Sequence, residues 1–366
     1  VTKDFWDIIK RVDKLRSHGY SLDMLRLPPF EYHAPTTLGQ ALKILAESGS
    51  AAMIVAGGTD IYPKMKRRQF QPKALISLRD IKRLVGIQGS KKKGFVIKSS
   101  TTLTEVAQHS VLQKAYPGLT QAVGLISTPI LRNMGTLGGN LCLDTRCNYY
   151  DQTHHWRRSV DWCMKAPGPA GVVLDPSEAP KEPVPCRVAP GGSRCWAVSS
   201  SDSAPMLIAL GAKIVLAGPQ GERALSLKDF YRDDGIKYIT KNPDEILTEI
   251  HIPLADGLKS AYLKLRRRGS FDFPVLGVAV ALKQSEDGTV TECKIVLGGI
   301  ASYPVEFPEA EKLLMGQRLT EELIEQVAQA VFGPARPMDN TDLHLYYRKR
   351  MAPVYVKRAL KALASV

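Results

Sequence analysis

No part of this chain is apolar for long. The longest apolar runs, such as Ala51–Ala56 and Val275–Leu282, fall far short of the ~18 residues a bilayer span requires, so no membrane partner is expected. The opening VTKDFWDIIKRVDKLRSHGY is charged throughout and lacks the apolar core of a secretory signal, which makes the cytoplasm the expected compartment. Cysteine is scarce, with six in 366 residues, too few for a disulfide scaffold of this size. The sequence has neither the G-x-G-x-x-G turn of a Rossmann unit nor a phosphate loop ending in Lys-Ser/Thr. Helix-turn-helix, zinc-finger and RNA-binding signatures are missing too, and nucleic acid is not an expected partner.

What is there describes a globular chain. Hydrophobic residues make up 44% and charged residues 23%, enough apolar material for a sizeable core. At ~150 residues per domain the length predicts two or three domains. The net charge is +14, with the basic residues dispersed in short runs: Lys64–Arg68, Lys91–Lys93, Arg266–Arg268 and Arg348–Arg350. Each run reads first as a solvated face, and together they suit an anionic substrate or an acidic partner.

Along the chain, residues 1–27 form a helical extension, with Phe5, Ile8, Ile9, Val12 and Leu15 at helical spacing. Residues 28–90 alternate strand, helix and strand, with Thr36 or Thr37 capping a helix through Glu47. Residues 91–256 form a second unit, in which Thr102 and Glu105 have capping-box spacing. Residues 257–366 hold three strands and then helices. Periodicity fades between 144 and 197, where seven prolines fall from Pro167 to Pro190. A structureless stretch of that length inside a compact unit points to function or to disorder.

Two glycine turns stand out. Ala56-Gly57-Gly58-Thr59-Asp60 leaves an apolar strand, and Gly135-Thr136-Leu137-Gly138-Gly139-Asn140 follows a helix in the second unit. Glycines let successive backbone N–H groups close on a bound group, which is how a chain cradles a pyrophosphate. Two such turns in separate units predict a ligand held between them. VAGGTD (Val55–Asp60), TTLTE (Thr101–Glu105), RNMGTLGGNL (Arg132–Leu141), SDSAPMLIALGA (Ser201–Ala212) and RKRM…KRAL (Arg348–Leu360) occur in one order. In this the chain resembles the flavin-binding medium subunits of the molybdenum hydroxylases, the xanthine dehydrogenase and carbon monoxide dehydrogenase group. The resemblance runs from Pro28 to the C-terminus. It implies an α+β fold: a two-part FAD-binding domain of the PCMH/VAO-like type, then a C-terminal domain of a three-stranded sheet plus helices. The family usually carries Ile-Gly-Ala before the Thr-Thr pair, where this chain has Lys98-Ser99-Ser100.

The resemblance also implies site residues. Ile54, Val55, Ala56, Gly57, Gly58, Thr59, Asp60 and Ile61 would wrap the FAD pyrophosphate, with Thr101 and Thr102 beside them. Thr136, Gly138, Gly139 and Asn140 would form the second loop. Asp202 would accept from a cofactor hydroxyl, while Lys264, Leu247 and Ile126 would neighbour the flavin. For Lys264 the plain alternative is a surface lysine on an edge strand.

Five of the six cysteines fall between Cys142 and Cys195, and four are spaced Cys147-x15-Cys163-x22-Cys186-x8-Cys195. Zinc sites favour paired C-x2–4-C knuckles, and there are none. A 4Fe–4S cluster takes four separate thiolates, one per iron. Iron–sulfur, zinc and unliganded thiols all stay open on spacing alone. Cys142 reads as packing beside the flavin, Cys293 as a core residue, and His154 and His155 as bystanders. One branch of the family, the 4-hydroxybenzoyl-CoA reductase β subunit, carries an insert with a 4Fe–4S cluster, which the four cysteines resemble; the gap between Cys163 and Cys186 is longer here.

The resemblance therefore implies an electron-transfer oxidoreductase subunit with no catalytic residue of its own. By that resemblance it would carry FAD and a 4Fe–4S cluster. Its expected partners are a large subunit with the molybdenum cofactor and a small subunit with two 2Fe–2S clusters, in a dimer of heterotrimers. Ferredoxin would be the electron donor and an aromatic thioester the substrate, in aromatic degradation. The alternatives are a medium subunit of an oxidising hydroxylase acting on an aldehyde or heterocycle, and a non-redox binding module with a zinc-stabilised loop.

Overall fold

A computed structural model describes residues 26–90, 92–166, 180, 182–254 and 256–364. The expected N-terminal helix lies outside the described residues, as does most of 167–181.

The first unit is a small parallel sheet of β1 (Glu31–His33), β2 (Ala52–Val55) and β3 (Ala74–Ser77), in the order β1-β3-β2. Helix α1 (Leu38–Ser48) links the first two strands. It starts at Thr37 through a capping box with Gln40 and buries Leu38, Ala41 and Leu45, which share one helical face. The short α2 (Ile61–Lys66) follows the first glycine turn and precedes β3.

The second unit opens with the hairpin β4 (Ile87–Ser90) and β5 (Gly94–Lys98). A helical run follows: α3 (Leu103–Gln108), α4 (Ser110–Ala115), α5 (Pro117–Gly124), α6 (Pro129–Arg132) and α7 (Leu137–Leu141). The cysteine-rich insert comes next, with only α8 (His154–Ser159) as regular structure of any length among its described residues. Helix α9 (Ser203–Ala209), the hairpin β6 (Lys213–Gly218) and β7 (Gly221–Ser226), and β8 (Ile246–Ile252) complete the unit. All five strands pair antiparallel in the order β4-β5-β8-β6-β7. The main core fills the space between this sheet and α3–α5 and α9.

The C-terminal unit has three long antiparallel strands, β9 (Leu258–Leu265), β10 (Leu276–Gln284) and β11 (Val290–Gly298). A two-residue strand, β12 (Val305–Glu306), extends the expected three-stranded sheet on the β11 edge. Helices α10 (Pro308–Leu314), α11 (Glu321–Phe332) and α12 (Leu345–Ala364) pack on it around a second core, where Cys293 is buried. Strand β10 joins the two cores: Ala279 and Ala281 face the first, Val278, Val280 and Leu282 the second. The insert has a small cluster of its own, built from Cys147, Tyr150, Trp162, Cys163, Ala166, Cys195 and Ala197.

Arg348, which opens the last family-like motif, is fully buried rather than part of a solvated run. Its guanidinium donates to the carbonyls of Val275 at 2.9 Å and Met338 at 2.7 Å, and to that of Gly299. It thereby fastens α12 to the segment entering β10 and the turn leaving β11.

Candidate functional site

The two glycine turns touch. A Cβ on Gly57 would stand 2.6 Å from the Met134 carbonyl carbon and 2.8 Å from Gly135 Cα, so only glycine permits this backbone-to-backbone approach. Gly58 has φ +73°, a left-handed conformation that turns the chain into α2. On the other side the Leu103 amide donates to the Gly135 carbonyl at 2.8 Å, and the Gly138 amide to the Ser99 carbonyl at 2.8 Å. A Cβ on Gly138 would meet Ser99 Cβ at 2.7 Å. The Thr136 hydroxyl caps α7 by accepting from the Gly139 amide at 3.1 Å. Ser99 and Ser100, which replace the family's small apolar step, bury hydroxyls that have no hydrogen-bond partner among the described residues. Glycine backbone packed at minimum distance, with unpaired hydroxyls beside it, fits the pyrophosphate and sugar of a dinucleotide.

The other expected flavin residues are not loose ends. The Thr101 hydroxyl accepts from the Gly86 amide at 2.9 Å and donates to its carbonyl at 3.0 Å. Thr102 caps α3 through the predicted box with Glu105. Asn140 Oδ1 accepts from the hydroxyls of Ser201 at 2.7 Å and Ser203 at 2.6 Å, which ties α7 to α9. Lys264, read as a possible surface residue, is buried on edge strand β9: its side chain is 1% exposed. It donates to Asp202 Oδ2 at 2.9 Å and to the Leu125 carbonyl at 3.0 Å, and the Tyr262 hydroxyl takes Asp202 Oδ1 at 2.9 Å. Burial pushes the Asp202 carboxyl above its ordinary range against the pull of Lys264 and Tyr262, and pushes the Lys264 ammonium down against the pull of Asp202. Ile126 and Leu247 are both buried in the main core.

The insert brings its four cysteines into one buried region, and backbone amides face each sulfur. Tyr149 supplies the amide at Cys147, Lys165 and Ala166 at Cys163, and Val188, Ala189 and Trp196 at Cys186. The Ala197 amide donates to Cys195 Sγ at 3.4 Å. Cys186 is held down to about 5, first by the hydrogen bond from the Cys195 thiol and then by its amides. The Cys195 thiol is raised by giving that bond. Burial lifts Cys147 to about 12. Among the described residues no amide shifts Cys142 or Cys293; burial lifts Cys142 to about 11 against the pull of Lys241, and burial with the Glu311 charge lifts Cys293 to about 12. Among the described residues no group of three or more His, Cys, Asp and Glu is arranged to hold one metal ion. A cubane spreads its four thiolates wider than a single ion does, because each binds a different iron.

Local structure shapes these turns. Asp161 and Trp162 enter the Cys163 turn at φ +53° and +61°, and Arg187 straps it by donating to the carbonyls of Trp162 at 2.8 Å and Asp161 at 3.0 Å. The Asp151 carboxylate accepts the Cys147 amide at 2.9 Å.

The sequence reading missed a buried charge network between the insert and the first glycine turn. Lys64, assigned there to a solvated run, is fully buried. Its ammonium donates to Asp144 Oδ2 at 2.7 Å and lies 4.7 Å from the Tyr150 ring centroid. Lys165 takes the other Asp144 oxygen at 2.5 Å. Arg146 pairs with Asp60 of the glycine turn and with Asp151 at 3.2 Å. The pairs that join the insert to the glycine-turn segment, Lys64–Asp144 and Arg146–Asp60, span 80 and 86 residues, and nothing local marks them.

Comparisons with known proteins agree with this geometry. Residues 28–255 match the model of the FAD binding domain in molybdopterin dehydrogenase, and residues 260–363 that of the CO dehydrogenase flavoprotein C-terminal domain. The carbon monoxide dehydrogenase medium chain of Hydrogenophaga pseudoflava is 29% identical over 92% of this chain and 97% of its own length. The nicotinate dehydrogenase FAD-subunit of Eubacterium barkeri is 25% identical over 87% of this chain and 91% of its own. The solved carbon monoxide dehydrogenase from Hydrogenophaga pseudoflava superposes with a TM-score of 0.72 at 28% identity, covering 92% of this chain and 97% of that one. Paired glycine turns, a two-part flavin fold and full-length similarity lead to one conclusion: the chain belongs to the molybdopterin dehydrogenase family, as an FAD-binding medium subunit of an oxidoreductase.

Proposed function

We propose that this chain is the FAD-carrying electron-transfer subunit of a heteromeric molybdenum enzyme and that its insert holds one 4Fe–4S cluster on Cys147, Cys163, Cys186 and Cys195. One observation carries the reading: of six cysteines, these four share a buried region in which each sulfur meets backbone amides. Amide-to-sulfur hydrogen bonds stabilise the thiolate form that binds iron and tune the site's potential. Flavin and cluster supply the redox chemistry when bound; the protein binds, orients and shields them. Residues 54–61, with Thr101, Thr102, Thr136, Gly138, Gly139 and Asn140, would hold the FAD phosphates and sugar. Ile126, Leu247 and Lys264 would neighbour the flavin ring, and Asp202, which fixes Lys264 in place, would accept from a cofactor hydroxyl.

The medium-chain relatives support a large and a small partner subunit around this one. The finer proposal is inward electron delivery. An acidic ferredoxin docks on this strongly basic chain, and the enzyme removes the phenolic hydroxyl of 4-hydroxybenzoyl-CoA or a similar aromatic thioester. That reaction consumes two electrons and two protons and releases water. The extra redox site in the insert favours it. The dehydrogenase names of the relatives favour the second reading, an oxidising hydroxylase with outward flow.

The test is the flavin, iron and zinc content of the anaerobically purified complex, followed by reduction with ferredoxin or NADH. About four irons beyond those of the partner subunits support the cluster, and rapid reduction by ferredoxin alone supports inward delivery. One zinc per chain without the extra iron refutes the cluster, and reduction only by substrate refutes the direction.

A further inference from the structure

We propose that Lys64 and Asp144 are positioning residues that make FAD retention and filling of the cysteine pocket one coupled event. The inference rests on the reading of the insert as a cluster site. The first glycine turn runs directly into α2, and this segment is tied to the insert through four of its residues, Asp60, Lys64, Arg67 and Gln69. Lys64 Nζ donates to Asp144 Oδ2 at 2.7 Å and to Asp151 Oδ1 at 3.5 Å. Gln69 Nε2 donates to the Tyr150 carbonyl at 3.1 Å, Arg157 to the Arg67 carbonyl at 2.7 Å, and Arg146 pairs with Asp60 itself.

Each tie ends beside a cysteine turn. Asp151 accepts the Cys147 amide, and the Tyr150 and Asp151 amides return to the Cys147 carbonyl at 2.9 and 2.8 Å. Asp144 holds Lys165, whose amide faces the Cys163 sulfur. Arg157 accepts the Trp162 amide at its carbonyl, one residue before Cys163. The Lys64 ammonium cannot stay buried without Asp144 and Asp151, so loosening the insert also frees α2 and the turn it follows. By linkage, filling either pocket then strengthens the other.

The measurement is the FAD dissociation rate, followed by recovery of flavin fluorescence on dilution. The complex is used as isolated and after anaerobic removal of iron by a chelator. Iron removal is expected to speed FAD release ~10-fold, within the usual range of coupling between sites. Lys64→Met leaves Asp144 paired with Lys165 and Asp151 with Arg146, so it strands no carboxylate. In that variant the ratio of the two rates should fall to within about twofold. Should Lys64→Met not yield folded protein, Gln69→Ala, which cuts an uncharged tie, goes through the same comparison, and its ratio should fall below that of the parent. A merely structural role lowers the melting temperature and leaves the ratio unchanged; that result overturns the proposal. A ratio near one in the parent, with iron present and then removed, overturns it as well and leaves the cluster reading standing. A complex isolated anaerobically without the insert's iron overturns the cluster reading and the coupling together.

Discussion

Gly57→Ala tests the flavin cradle most directly. The added methyl would stand 2.6 Å from the Met134 carbonyl carbon and 2.8 Å from Gly135 Cα, against ordinary carbon contacts of about 3.5–4.0 Å. Both neighbours are backbone atoms, so no rotamer relieves the clash and one turn must retreat from the other. Overpacking costs about 1–3 kcal/mol, and a backbone neighbour puts this case at the upper end. If that opening is charged to the FAD-competent arrangement, ~3 kcal/mol weakens FAD binding about 100-fold. Gly58→Ala would instead meet the Tyr62 ring, Cδ2 at 2.7 Å, which can rotate away, leaving chiefly the cost of φ +73°. That cost is about 1–2 kcal/mol, so its loss of affinity should be smaller. Gly39→Ala has nothing within 4 Å and serves as the control. The assay is equilibrium FAD binding to deflavinated enzyme, with melting curves to confirm folding. A Gly57→Ala protein that binds FAD within twofold of the parent refutes the close-approach argument.

Four further outcomes are expected. Acid precipitation should release the flavin, because no His or Cys lies in 54–61 or 133–140 to form a covalent link, and flavin retained in the pellet would contradict this. Alanine at Cys147, Cys163, Cys186 or Cys195 should remove about four irons on metal analysis, whereas Cys142→Ala and Cys293→Ala should keep them; loss of iron from Cys142→Ala alone would reassign the ligands. Arg348→Met should lower stability by about 3 kcal/mol in denaturant melts, because it leaves the buried carbonyls that Arg348 now satisfies without a donor. Burial raises the Asp144 carboxyl, but Lys165 and Lys64 outweigh burial and hold it well below its ordinary range. Its stabilising effect is therefore full above the unfolded value of about 3.9 and fades as pH falls below it, so the gap in melting temperature between the parent and Asp144→Asn should narrow from pH ~5 to ~3.

Local chemistry made much of this protein legible from sequence. Thr102 with Glu105 starts a helix where the capping box placed it, and Thr37, one of the two expected caps, starts another with Gln40, because a cap is made within one turn of chain. The long strands β9–β11 precede helices α10–α12 in the expected order, since apolar periodicity and helix-starting residues such as Pro308 act locally. The glycine turns were visible too, because only glycine tolerates backbone packed on backbone. Four cysteines in a proline-rich stretch stood out in the sequence, but the residues they meet did not.

Only the tertiary structure decided how charge is arranged. Lys64, Lys264 and Arg348 look like surface residues in the sequence, yet their side chains are buried, as are those of Asp144, Lys165 and Asp202. The partners of Lys64 and Arg348 lie far along the chain, up to 87 residues away for Lys64 and 73 for Arg348. A charge enters a protein interior only when a fixed partner waits there. That partner is supplied by the fold and not by neighbours in the chain, so the sequence determined where the turns and caps lie, and the packed structure determined which charges hold them together.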